Sequence, residues 1–468
     1  MRGKYLFILV LILILIAVSS YAQSKDNREI VDILIVNGTV VTMDADRKIH
    51  KRATVAIKDG AIVAVGTSDS LKNRFRAGKT FDASFKLVLP GLVNTHTHAA
   101  MTIFRGFADD LPLQEWLGKH IWPLESKYIH PETVRLGTLL AIAEMIRSGI
   151  TTFNDMYFFE DEVAKAAKEA GIRAVVGEGL LDLPTPNKKT PREGLEYAEK
   201  LIQKWRGDPL IHVAVALHAP YTCSPDLLKA GKALSDQYKI PLHIHLAETE
   251  KEVNDIQKRY GLTPVLFLDS LGILNDRVIA AHCVYLTKEE IRLIARRKVG
   301  VAHDPESNMK LASGVAPIPD LLDAGVKVGL ATDGAASNND LNLFKEMDVT
   351  AKLHKIFPRR DPTVMNAQKV VEMATIGGAR VLGLEGRIGA IEEGKRADVI
   401  VIDLNKPHWV PLYNIYSHLV YATNGADVET VIIDGKIVMQ DRKILTFDEK
   451  EIIKRVRALA ERISANLF

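Results

Sequence analysis

The chain has 468 residues, with 61 Lys and Arg against 58 Asp and Glu, a formal net charge of +3 and 47% hydrophobic residues. This is long enough for a barrel-sized domain plus a smaller one, and the balance excludes disorder and low complexity. So small a net charge, with no basic cluster interleaved with aromatics, gives no nucleic-acid partner, and two cysteines, Cys223 and Cys283, cannot build a disulfide framework.

In chain order, Arg2 and Lys4 precede an apolar run over residues 6–18, and small residues Ser20 and Ala22 follow it. The pattern reads as a signal peptide over residues 1–22, since the run falls short of the ~20 residues that span a bilayer. It predicts an exported, periplasmic protein that meets a membrane only through this segment; a cytoplasmic location is the alternative.

From Asp32 the texture is one of short apolar strands and tight turns. Asn37-Gly38 and Asp59-Gly60 read as hairpin turns, and the same texture returns near the C-terminus around Asp434-Gly435. Residues 32–88 and 386–445 are therefore expected to form one composite β-sandwich domain, with residues 446–468 as a C-terminal helix.

Residues 89–385 alternate strand and helix. Helical patterns over residues 131–147, 160–169, 192–205, 224–237, 250–260, 288–296 and 318–322 separate apolar strands, of which the first is residues 87–97 and the fourth residues 212–218. Eight strands in this alternation predict an α/β fold, a (β/α)8 barrel of the TIM type, and no glycine-rich phosphate turn points to an open doubly wound sheet.

Four of these strands end in residues that bind metals or move protons. Pro90-Gly91-Leu92-Val93-Asn94-Thr95-His96-Thr97-His98 closes on two histidines whose side chains share one side of a strand. His245 and Glu248 close another run, His282 a third and Asp333 a fourth. Strand ends converge on one mouth of such a barrel, so His96, His98, His245 and Asp333 offer three nitrogens and a carboxylate to one divalent ion, most simply Zn2+. His243 reads as a barrel-interior residue, and His303 as support at the end of the seventh strand.

The motifs ending in His96 and His98, with His243-Ile244-His245-Leu246-Ala247-Glu248, Ala281-His282-Cys283 and Ala331-Thr332-Asp333-Gly334, resemble the amidohydrolase superfamily. Pro123-Leu124-Glu125, His218-Ala219-Pro220-Tyr221 and Pro305-Glu306-Ser307-Asn308 bring the chain nearest to its 5′-methylthioadenosine and S-adenosylhomocysteine deaminases. Two-metal members bridge their ions with a lysine on the fourth strand, and here that strand ends in His218 without one, which implies a single ion. The implied reaction is hydrolytic deamination of an adenine nucleoside. Asp333 accepts a proton from the attacking water, His282 orients it, and Glu248 protonates the ring. The resemblance also assigns Glu125 to the ribose hydroxyls, His218 to the purine and Arg192 to the substrate's tail.

Two other readings stand beside this one. Deamination or hydrolysis of a free base or triazine would leave Glu125 without a purpose, and a non-catalytic member of the fold would not need the ligands and proton carriers together. A homo-oligomer is left open by the sequence. Glu178, at the end of the third strand, is expected to place a negative charge near an amino-acid tail and so to favour adenosine or 5′-methylthioadenosine over S-adenosylhomocysteine.

Overall fold

The computed structural model describes residues 28–465, so residues 1–22, read above as a signal peptide, lie outside the described residues. The central sheet is a parallel barrel of β6 (Leu92–Thr97), β7 (Ile150–Tyr157), β8 (Arg173–Leu180), β9 (Ile211–Val213), β10 (Val215–Leu217), β11 (Leu242–Leu246), β12 (Val278–His282), β13 (Gly300–His303) and β14 (Lys327–Leu330). Every residue of β6, β7 and β8 is buried, as expected of strands covered on both faces. The Asp333 amide donates to the His96 carbonyl at 3.1 Å and Thr95 Oγ1 to the Leu330 carbonyl at 2.9 Å, which joins the last strand to the first.

The expected fourth strand is broken in two. β9 pairs with β8, whereas β10 pairs with both β8 and β11, and the break falls at Ala214, whose amide still donates to the Val176 carbonyl at 3.0 Å. The helices Pro131–Arg147 and Glu250–Tyr260 have the bounds expected from their periodicity. Among the described residues no helix is long and apolar enough to cross a membrane.

The two chain ends build a second, mixed sheet in the order β18-β17-β16-β15-β5-β1-β2-β3, with β4 on β1. Its N-terminal members are β1 (Glu29–Val41), β2 (Ile49–Lys58), β3 (Ala61–Thr67), β4 (Phe75–Asp82) and β5 (Lys86–Pro90). The C-terminal ones are β15 (Val399–Asp403), β16 (Val428–Ile433), β17 (Lys436–Gln440) and β18 (Lys443–Ile444). Antiparallel pairing of β5 with β15 joins the halves, and Ile33, Val55, Val88, Val399 and Ile432 share one core.

Asp59-Gly60 and Asp434-Gly435 are hairpin turns with positive φ at both residues. Asn37-Gly38 is not one: β1 runs straight through it, with Asn37 at φ 65° and register shifts on either side of Gly38, which makes it a bulge. Asp82 accepts the Asn37 side-chain amide at 2.8 Å and Lys72 donates to its oxygen at 2.7 Å, anchoring the left-handed residue.

The apolar run over residues 87–97 is also two strands. β5 belongs to the small sheet and β6 to the barrel, and the chain crosses at Gly91, whose amide donates to the Asp398 carbonyl at 2.9 Å. A Cβ at Gly91 would stand 2.0 Å from Thr151 Oγ1, so the crossing needs glycine. Beside it the buried Arg173 guanidinium binds both oxygens of Asp398, at 2.9 and 3.0 Å, and so ties barrel to sheet. Behind the barrel, Ile452, Leu459 and Ile463 form the buried stripe of the C-terminal helix Glu449–Ala465.

Candidate active site

His96 and His98 stand on β6 and just past its end, His245 on β11, and Asp333 in the turn after β14. The ligand nitrogens of the three histidines lie within 4.8 Å of one another. Asp333 Oδ1 is 3.4 Å from His96 Nε2 and 3.3 Å from His98 Nε2, and His98 Nε2 is 3.3 Å from His245 Nε2. Zinc–nitrogen bonds of ~2.0–2.1 Å around a tetrahedral ion put neighbouring ligand atoms ~3.3 Å apart.

Protonation supports the same fit. His245 Nδ1 donates to the His218 carbonyl at 2.6 Å, and His98 Nδ1 donates to the Met156 carbonyl. With Nδ1 so committed, each ring turns Nε2 to the centre, next to a carboxylate oxygen. His96 Nε2 is buried with no hydrogen-bond partner, and burial holds the His96 pKa down at about 3. Lone pairs so close repel unless a cation lies between them, and the donor set suits one divalent ion, zinc above all.

The sequence reading missed how the ligands are supported. His243 is interior, as expected, but its Nε2 meets His96 Nδ1 at 2.9 Å, and Asn154 Nδ2 lies 3.2 Å from His243 Nδ1 and donates to the Thr95 carbonyl at 2.8 Å. Asn154, a buried amide in a strand buried along its whole length, was the available signal. Ser307 and Ser337 both donate to Asp333 Oδ2 at 2.7 Å, and the Gly334 amide to Oδ1 at 2.8 Å. His303 pairs instead with His354, Nε2 to Nε2 at 3.1 Å.

The proton carriers flank the ligands. His282 Nε2 lies 3.9 Å from Glu248 Oε2, while its Nδ1 meets Asn308 Oδ1 at 3.0 Å and Asp304 Oδ2 at 3.5 Å. Burial opposes charge on His282, but the carboxylates of Glu248, Asp304 and Asp333 outweigh it and raise its pKa to about 9. Burial raises the Glu248 pKa, and Ser313 Oγ donates to Glu248 Oε1 at 3.2 Å. Asp333 is held well below the carboxylate range: burial opposes this, and the close approach of His96, His98 and His282 prevails. Ala247, His282 and Asp333 all have positive φ, a local strain that packed active sites retain.

One cavity takes in His98, His218, His245, Glu248, His282 and Asp333, and Glu125 lines it too. Tyr157 donates to Glu125 Oε1 at 2.7 Å, and burial lifts the Glu125 pKa to about 7. His218 Nδ1 meets Thr222 Oγ1 at 2.8 Å. Much of the remaining wall is apolar, with Leu113, Trp116, Leu117 and Ile121 contributed by one segment, and it includes no lysine or arginine among the described residues. Cys223 and Cys283 are free and buried.

Two expected recognition residues are elsewhere. Arg192 is not brought to the cavity: its side chain is 89% exposed and pairs with Glu196, one turn along the same helix, at 2.9 Å. Glu178 is buried but turned away from the barrel mouth, because its neighbour Gly179 takes the cavity side of β8. It accepts from Asn187 at 2.7 Å and from the Glu160 amide at 3.2 Å, so it braces the loop that follows β8.

The amidohydrolase family profile matches residues 87–438. The chain belongs to the amidohydrolase family. It is 53% identical over 432 residues to a 5-methylthioadenosine/S-adenosylhomocysteine deaminase of Syntrophobacter fumaroxidans, covering 92% of this chain and 98% of that one. It is 45% identical over 440 residues to a 5'-deoxyadenosine deaminase of Methanosarcina mazei, covering 94% and 100%. The crystal structure of an adenosine deaminase from Xanthomonas campestris with bound zinc superposes with a TM-score of 0.92 at 43% identity, over 94% of this amidohydrolase and 100% of that chain.

Proposed function

We propose that this amidohydrolase converts an adenine nucleoside, with water, to the hypoxanthine nucleoside and ammonia. The observation that carries the reading is that one cavity is lined by His98 and His245 of the three-histidine metal cluster, by the proton carriers Glu248 and His282, and by the buried Glu125 carboxylate. The relatives, named for deamination of such nucleosides, point the same way.

When bound at the three histidines, a divalent ion lowers the pKa of its water toward ~7 and supplies a nucleophile at neutral pH. Glu248, whose pKa burial raises toward its acid form, gives a proton to a purine ring nitrogen, which makes the adjacent carbon electrophilic. Asp333, fixed by Ser307 and Ser337, stays anionic and takes the proton that water loses on adding to that carbon. His282, its Nδ1 directed to Asn308, presents Nε2 to the same oxygen and holds it in place. The carbon–nitrogen bond then breaks, the amine leaves as ammonia with the proton passed on from Asp333, and the carbonyl forms as the hydroxyl proton returns to Glu248. Glu125 accepts hydrogen bonds from the ribose hydroxyls, which a carboxylate does with acceptors only.

The substrate's 5′ group is small and uncharged. Among the described residues the cavity wall has no lysine or arginine to pair with an amino-acid carboxylate, and its apolar side chains suit a methylthio group or a bare 5′ carbon. Residues 1–22 are further proposed to direct export, on their basic start and short apolar run.

Ammonia release, with chloride release for the last substrate, tests the reading across 5′-methylthioadenosine, 5′-deoxyadenosine, adenosine, S-adenosylhomocysteine, guanine and a chlorotriazine. Turnover of the first two well above the last three supports it, and turnover confined to guanine or the triazine refutes it.

A further inference from the structure

The end of the barrel opposite the candidate active site carries a cleft of about 560 Å³. Val175 near the start of β8, Ile211 to Val213 of β9, Pro241 ahead of β11 and Arg277 ahead of β12 all line it, which places it at the N-terminal ends of the strands. Chemistry in barrels of this type is done at the other end. Its size is in the range of small-molecule sites.

The lining is unbalanced in charge. Arg206, Lys239, Arg277 and Arg387 face Asp208 and Asp276. Asp208 is already paired with Lys168 at 2.7 Å, and Arg277 with Asp236. That leaves Arg206, Lys239 and Arg387 with no ion pair among the described residues, against the single carboxylate of Asp276.

Two buried nitrogens without partners add to this. His212 Nε2 and Arg277 Nε are buried without a hydrogen-bond partner, and both residues line the cleft. Burial, with the charges of Arg173 and Arg387, lowers the His212 pKa to about 4, so the ring is neutral and one nitrogen carries a proton to give. An orphaned buried donor costs free energy that a bound acceptor would recover. Trp205 and Tyr238 supply aromatic surface beside these cations.

We propose that this cleft is a second binding site, for a small organic phosphate. Its oxygens are held by Arg206, Arg387 and His212, and its apolar part lies on Trp205 and Tyr238. Planar, permanently charged guanidinium groups match phosphate oxygens in pairs. The site is independent of the proposed deaminase reaction, since no residue is shared with the metal cavity.

The test uses the metal-loaded full-length protein, with phenyl phosphate and inorganic phosphate as probes in calorimetry, and Trp205 fluorescence as a second readout. Phenyl phosphate is expected to bind saturably, more tightly than inorganic phosphate, more weakly as salt rises, and without competition from 5′-methylthioadenosine. The double variant Arg206→Ala/Arg387→Ala, in exposed positions with no partners to lose, is expected to bind it roughly tenfold or more weakly while deaminating at the parent rate. No saturable binding, equal binding by the variant, or displacement by the nucleoside would overturn the proposal.

Discussion

His98 and His245 face each other with their Nε2 atoms 3.3 Å apart, and each has committed its Nδ1 proton to a main-chain carbonyl, that of Met156 or His218. The backbone thereby sets both ring tautomers before any ion arrives. His96 differs, because its Nδ1 rests on another imidazole, His243. Removing a ligand and removing a supporting ring should therefore be separable in experiment.

His245→Ala should leave less than one-tenth of the parent metal content after dialysis, since it deletes one of three clustered nitrogens. His243→Phe keeps all the ligands but removes the partner of His96, and should weaken metal binding by about 10- to 100-fold. Competition with a metallochromic chelator measures both. Equal affinity in His243→Phe and the parent would show that His96 needs no such support.

Glu248→Gln should bind metal as the parent does and lose several orders of magnitude in kcat, because the amide cannot deliver the proton. The Ser313 hydroxyl can still donate to its oxygen, so the fold is retained. Metal analysis beside steady-state kinetics checks this, and activity within about tenfold of the parent would assign the proton to another group.

The pH dependence of substrate binding should report Glu125. Burial raises its carboxyl from an ordinary 4.5 to about 7, so it is protonated below that pH and loses acceptor capacity for the ribose. KM should rise as pH falls through about 7, and Glu125→Gln should remove that dependence along with most of the affinity. For folding the sign is opposite. A carboxyl raised in the folded state contributes stability that is fully present below 4.5 and lost as pH climbs through about 7, so the ligand-free protein should gain stability on mild acidification from this group. A flat KM across this interval would remove Glu125 from the binding site.

Arg173→Met should destabilise the protein by about 3–5 kcal/mol, since it leaves the buried Asp398 carboxylate without its guanidinium. Chemical denaturation of Arg173→Met and of the double variant Arg173→Met/Asp398→Asn measures it. If the bridge joins barrel and sheet as described, the double variant recovers part of the loss.

Much of this site was legible in the sequence because strand ends in a parallel barrel converge: His96, His98, His245 and Asp333 are far apart in the chain, yet each closes an apolar run. What was not legible depended on single-residue details. Gly91 splits one apolar run between two sheets, which no hydrophobic pattern registers, and Asn37-Gly38 has hairpin composition but lies inside a strand as a bulge. At Glu178 the side-chain alternation of β8 decides the outcome. With Gly179 facing the cavity, the carboxylate points the other way, to Asn187 and the Glu160 amide. Arg192 failed for a simpler reason, as the first turn of its helix lies in solvent.

The proposed preference for an uncharged 5′ group consequently rests on the cavity wall and not on Glu178. Glu178→Arg should lower stability and leave the ratio of kcat/KM for 5′-methylthioadenosine over S-adenosylhomocysteine unchanged, whereas Leu117→Arg, which puts a cation in the wall, should lower that ratio. A ratio that responds to Glu178→Arg in correctly folded protein would return that residue to the substrate.

The most direct test of metal-dependent deamination is a titration of metal-free protein with zinc while ammonia release from 5′-methylthioadenosine is followed. One cluster of three histidines predicts no activity without metal, a linear rise, and a plateau at one ion per chain. Full activity in the metal-free protein, or a plateau reached only at two ions per chain, would contradict it.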